Sequence, residues 1–202
     1  MVNALSDRYL YGRRRYLNRL LAKLNVSSIE DRPETWVSST TGPQRQGGEG
    51  AAQITIGMQE VPSEVAARWG WQGTVDEQLV LKIAHECVHK FQHDGGYEQA
   101  LVRALQTGQV RDEDQEFLPY VSLYLALEET GSVSGLAAEP IYKLQSENTG
   151  ELKVEILEDM TELIAAYMLG DEYLFSKLSA SHVSQAQAEQ VAILVDTVCK
   201  DI

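Results

Sequence analysis

Residues 74–94, TVDEQLVLKIAHECVHKFQHD, decide the fold of this chain. Thr74 and Glu77 form a capping box, in which the threonine hydroxyl caps the first helical turn and the glutamate returns the bond. Gly95 and Gly96, which follow directly, are a typical helix stop. The spacing therefore predicts one long helix over this segment.

The predicted helix has two unlike faces. At about 100° per residue, its apolar side chains cover one continuous arc that includes Cys87 and Val88. His85 and His89 fall together beside this arc, with Glu86 next to them. We expect the apolar arc to pack into the core, with Cys87 as a packed thiol, and the other face to line a cleft.

His85 and His89 have the spacing at which two imidazoles on one helix hold a single zinc ion. Glu86, inside this His-Glu-x-x-His pattern, is the predicted general base that acts on a water at the metal. His93 lies about 12 Å along the helix axis from His85, too far to share the ion, and we expect it to interact with the helix C-terminus. A di-iron site is excluded because neither His93 nor His182 completes a second Glu-x-x-His motif.

The third ligand is expected to be a carboxylate from a later helix, and residues 158–162, EDMTE, are the best segment. On a helical projection Glu158 lies at the border of the apolar arc, whereas Glu162 lies further out. A ligand should lie near the buried border, which favours Glu158. Glu162, Glu128 and Glu129 stay open as alternatives, and so does a solvated face for all four glutamates.

These two motifs resemble those of the gluzincin peptidases, the thermolysin-like zinc enzymes with two histidines and a glutamate, and look closest to the small minigluzincin type. The resemblance extends from residue 74 to residue 169. It implies that Glu158 is a zinc ligand and that Glu162, four residues later, orients a ligand histidine. EDMTE resembles the Glu-Gly-x-Thr-Glu variant, although Asp159 stands where that variant usually has glycine and two extra helices separate the motifs.

The rest of the chain predicts an α+β, predominantly helical fold, a zincin-like domain with a small N-terminal sheet ahead of the metal helix. We treat residues 1–202 as a single domain: a helix and connector (1–34), a small sheet with loops (35–73) and a helical catalytic part (74–202). Alternating patterns predict strands at residues 35–38 and 53–58. Helical periodicity predicts further helices at residues 7–24, 97–107, 112–129, 150–169, 171–178 and 184–200.

Composition excludes some functional classes. The formal net charge of -13 argues against a general nucleic-acid binder. Six of the 17 basic residues lie between Arg8 and Lys23, among leucines at helical spacing, and we interpret them as the solvated face of an amphipathic helix. We find no signal peptide and no stretch long enough to span a bilayer. Cys87 and Cys199 give no disulfide framework, so a cytoplasmic location is expected.

These features predict a zinc peptidase acting on a peptide or protein, with Glu86 passing the water's proton to the leaving amine. An inhibitory or regulatory protein is a further candidate partner. The alternative is a zinc-binding regulatory module of the same motif with little or no proteolytic activity. The intact Glu86 speaks weakly against that alternative.

Other parts of the predicted site are less firmly specified. Tyr167 and His182 are candidate oxyanion stabilisers, although a core tyrosine and a surface histidine are the interpretations we favour. In the class that the motifs resemble, an edge strand pairs with the extended substrate, and the glycine-rich loop before it (residues 38–50) would be a lid. The residues assigned to that edge strand are Gln53, Ile54, Thr55 and Ile56.

Overall fold

The computed structural model describes residues 14–24, 26–41, 52–69, 71, 73–131, 152–170, 173–174, 177–178 and 183–201 of the chain. The predictions for residues 1–13, for most of the glycine-rich loop and for His182 lie outside these ranges, as does half of the helix predicted at 171–178. The described part is predominantly helical with one small sheet, which confirms the predicted fold class.

The helices agree closely with the periodicity of the sequence, except that Ser63–Trp69 was predicted as loop and the start of the 112–129 segment is a 3-10 helix. The strands are β1 (Val26–Arg32), β2 (Ser39–Thr41) and β3 (Ala52–Gly57). The helices are α1 (Arg14–Lys23), α2 (Ser63–Trp69), α3 (Val75–Asp94), α4 (Tyr97–Thr107), a 3-10 helix (Asp112–Phe117), α5 (Leu118–Thr130), α6 (Val154–Leu169) and α7 (Gln185–Asp201).

The sheet has the strand order β1-β3-β2, with β3 parallel to β1 and antiparallel to β2. The predicted edge strand, Gln53 to Ile56, is therefore the central strand, and the prediction of an edge is wrong. The reason for the error is β1, which pairs with the outer side of β3. Its sequence, VSSIEDR, lacks an alternating apolar pattern and therefore does not predict a strand. The prediction of a strand at residues 35–38 is wrong, since none of these residues is in a strand and β2 begins at Ser39.

Helix α3 is the centre of the core. Its capping box is present, with Thr74 and Glu77 bonded to each other's backbone as predicted. Cys87 and Val88 are completely buried, and the helix packs against α6, β2 and β3. The histidine side is covered as well, since His85 is also buried, so α3 has almost no solvated face near its middle. Among the described residues no helix is long and apolar enough to cross a membrane.

Candidate metal centre

Helices α3 and α6 pack side by side and bring three potential ligands together. His85 and His89 come from α3, and Glu158 comes from the first half of α6. The two Nε2 atoms are 3.1 Å apart, and Oε2 of Glu158 lies 3.4 Å from that of His85 and 3.3 Å from that of His89. The cluster can hold a metal ion, with the histidine pair and the glutamate that the sequence favoured.

The spacing of these three atoms fits a tetrahedral ion. Zinc–ligand distances of about 2.0–2.1 Å place neighbouring ligands of a tetrahedron about 3.3 Å apart. The observed separations of 3.1, 3.3 and 3.4 Å match that edge closely. Three protein ligands also leave the fourth position open, as in catalytic rather than structural zinc sites.

His85 is oriented by Glu162. Its Nδ1 lies 3.0 Å from Oε2 of Glu162, a carboxylate that can only accept, so Nδ1 carries a proton and Nε2 is the nitrogen that a metal would bind. The other oxygen of Glu162 accepts from Trp71 Nε1 and pairs with the ammonium of Lys177. Lys177 also donates to the carbonyl of Trp69 at 2.7 Å. Glu162 is therefore fixed from three sides.

His89 is oriented by Thr161, which precedes Glu162 on α6. The threonine hydroxyl lies 3.4 Å from Nδ1 of His89 and donates its single proton towards Oε1 of Gln92 or the carbonyl of Leu157, each 2.9 Å away. It consequently accepts from Nδ1 of His89. This directs Nε2 of His89 at the same point as that of His85.

The three atoms face one another in a buried space. With both Nδ1 atoms directed at other partners, the two Nε2 atoms and Oε2 of Glu158 converge on one point, which a metal ion or a proton can occupy. Oε2 of Glu158 is buried and has no hydrogen-bond partner. Converging lone pairs and negative charge repel one another unless a cation lies between them. The donor set therefore fits a divalent ion.

The electrostatics of the cluster favour positive charge at the same point. Burial lowers the pKa of His85, but the neighbouring carboxylates of Glu158 and Glu162 outweigh burial and raise the pKa to about 10, so without an ion the ring itself carries positive charge. Burial alone would raise the pKa of Glu158, yet the neighbouring histidines hold it well below its ordinary value. The pKa of Glu162 is lowered against burial mainly by the charge of Lys177. Both carboxylates are thus anionic.

The helical projection misjudged the relative burial of the two carboxylates. Glu162 was predicted to lie further out than Glu158, but its exposed fraction is 0%, against 8% for Glu158. Lys177 and Trp71 cover Glu162, and both come from outside α6, so the periodicity of that helix gives no sign of them. The sequence did not predict that Lys177, Trp71 or Thr161 contacts the residues of the site.

The other candidates have different environments. Tyr167 is buried and donates its hydroxyl to Asp196 on α7, which is the environment of a core tyrosine and does not support an oxyanion role. His93 lies outside the cluster, with Nδ1 3.3 Å from Glu98. Glu128 pairs with Lys153 and is not part of the cluster. Glu86 is buried beside His85, at the wall of a pocket.

No protein-family model, no curated protein and no solved structure matches this chain. The geometry of the cluster is therefore the observation on which a functional assignment depends.

Proposed function

We propose that the protein is a zinc-dependent peptidase that hydrolyses peptide bonds with Glu86 as its general base. The observation that carries this proposal is the convergence of the His85, His89 and Glu158 acceptors at tetrahedral spacing. Among common metals, one zinc ion suits two imidazoles and a carboxylate with an open fourth position. The His-Glu-x-x-His spacing supports the same choice.

Bound between these three residues, a zinc ion would supply a Lewis acid that polarises a carbonyl and lowers the pKa of water towards neutrality. Glu86 follows His85 directly on α3 and is only 7% exposed. A carboxylate there can accept the proton of the attacking water and deliver it to the leaving amine. Glu162 and Thr161 would keep both imidazoles in the tautomer and orientation that binding requires.

The proposed substrate is a peptide or protein rather than a nucleic acid, because the chain has a net charge of -13. Cys87 and Cys199 are both free and buried, which is compatible with the proposed cytoplasmic location.

Metal analysis combined with peptide cleavage tests the proposal. We expect about one zinc per chain in the wild type and in Glu86→Gln, with cleavage at least about 100-fold slower in the variant. Glu64→Gln, an exposed glutamate on α2, is the matched control and should cleave normally. Zinc binding without cleavage by the wild type would support the regulatory module instead. A wild type without metal would contradict both functions.

A further inference from the structure

A pocket beside the candidate metal centre contains every tryptophan of the chain. Trp36, Trp69 and Trp71 line it, together with His85 and Glu86, and the sequence has three tryptophans in all. Because His85 and Glu86 also belong to the proposed reaction site, a group held in this pocket would lie next to the reacting bond. The pocket is thus placed to select a side chain of the substrate.

The three indoles form a series of tilted ring contacts. The ring centroids of Trp36 and Trp69 are 5.5 Å apart with planes at 59°, and those of Trp69 and Trp71 are 5.2 Å apart at 69°. Aromatic rings prefer such tilted or edge-to-face neighbours. A fourth ring can continue this series, whereas an aliphatic side chain would gain only apolar contact.

The walls of the pocket are fixed before any ligand enters. Trp71 donates to Glu162, and the carbonyl of Trp69 accepts from Lys177. The segment that carries Trp36 presses on Gly57 at the end of β3, where an added Cβ would lie 2.4 Å from the Trp36 carbonyl carbon. A rigid wall loses little conformational entropy on binding, which favours a ligand that matches its shape.

Charge narrows the choice of ligand. Tryptophan walls alone would suit a cation, but Lys82 also lines the pocket, and the ammonium of Lys177 lies 5.9 Å from the ring centroid of Trp71. Lys82 is held there by the carbonyls of Gly57 and Gln59, at 2.8 and 2.9 Å. These positive charges disfavour a cationic side chain, and Glu86 disfavours an anionic one. An uncharged aromatic side chain is therefore the ligand that suits both the charges and the tryptophan walls of the pocket.

We propose that this pocket binds the uncharged aromatic side chain of a substrate residue next to the scissile bond, phenylalanine or tyrosine. The inference rests on the proposed peptidase function, because that function supplies the bond. Trp36, the most exposed of the three indoles, is the residue that determines this specificity and can be changed with the least effect on the core.

Peptide binding to zinc-loaded Glu86→Gln protein tests the inference without turnover. The probes are acetylated, amidated alanine–glycine hexapeptides in which one position at a time is phenylalanine, leucine or lysine. All three tryptophans line the pocket, so intrinsic fluorescence reports occupancy directly. We expect the best phenylalanine peptide to bind about fivefold or more tightly than its leucine counterpart, and tighter still than the lysine peptide.

Variants at position 36 separate specificity from stability. Trp36→Leu should remove the preference for phenylalanine over leucine, while Trp36→Phe should retain it, and both should melt as cooperatively as the parent. Equal binding of phenylalanine and leucine peptides, or tighter binding of the lysine peptide, would overturn the inference. Selective binding of phenylalanine together with an inactive wild type would refute the peptidase and leave the pocket assignment intact.

Discussion

Replacing Glu162 by glutamine tests whether the orientation of His85 governs metal binding. The amide keeps the shape of the carboxylate but directs an N–H group, or a weaker acceptor, at Nδ1 of His85 across a 3.0 Å contact. If that amide donates to Nδ1, the imidazole proton moves to Nε2, the nitrogen that faces the metal. Loss of such a supporting partner commonly costs 10- to 100-fold in metal affinity, or about 1.4–2.7 kcal/mol.

The same substitution affects stability by a separate route. Lys177 is buried and pairs with Glu162, so the variant removes the carboxylate that its ammonium contacts and leaves only the weaker attraction of Asp159. Breaking a buried ion pair by removing one partner typically costs about 3–5 kcal/mol, a large part of the stability of a domain. Adding Lys177→Met removes that charge and should restore much of the stability. It should not restore zinc affinity, because Glu162→Gln still faces His85.

The assay is competition for zinc against a chromophoric chelator, with urea unfolding of the metal-free proteins measured in parallel. Glu155→Gln, the same change on the same helix, is the control and should bind zinc like the wild type. Wild-type affinity in folded Glu162→Gln would refute the role of Glu162. Recovery of affinity in the double variant would show that the loss came from instability alone.

Three other measurements test separate parts of the structure. Thr74→Ala removes the bonds that the threonine hydroxyl makes in the capping box and should lower the free energy of unfolding by about 1 kcal/mol in a urea titration, whereas an unchanged value would contradict the importance of the cap. Burial lowers the pKa of Lys82 from 10.5 to about 8. Between pH 8 and pH 10.5 the unfolded chain therefore binds more protons than the folded chain, and the free energy of unfolding should rise with pH. A pH series of urea titrations should show this rise in the wild type and not in Lys82→Met. Removing zinc with a chelator should lower the Tm of the wild type, because free zinc at 1,000 times its Kd stabilises the native state by about 4 kcal/mol. The same treatment should leave the Tm of His89→Ala almost unchanged.

The sequence predicted the metal helix because all its signals agree. The capping box, the apolar arc with Cys87 and Val88, and the pair His85 and His89 lie in one segment and follow local rules. Glu158 could be chosen because a ligand at the border of a buried arc follows from helical geometry. These parts of the fold and site depend mainly on neighbours close in the chain.

What the sequence did not predict depends on contacts between distant segments. Lys177 covers Glu162, and Trp71 donates to it from a loop, so neither is visible in the periodicity of α6. Strand β1 has no alternating apolar pattern and is defined by its pairing with β3, which places the predicted edge strand at the centre of the sheet. The burial of Glu162 and the position of β3 in the sheet both depend on contacts between segments that are distant in the chain.

One strip of α6 supplies the acidic ligand, Glu158, and both side chains that orient the imidazoles, Thr161 and Glu162. A slip of this helix by a single residue along its axis would misplace all three at once. Metal binding at this cluster would therefore show, in an all-or-none way, whether α3 and α6 have docked in register. Titrating the ion into refolding protein would time that docking event, independently of any turnover.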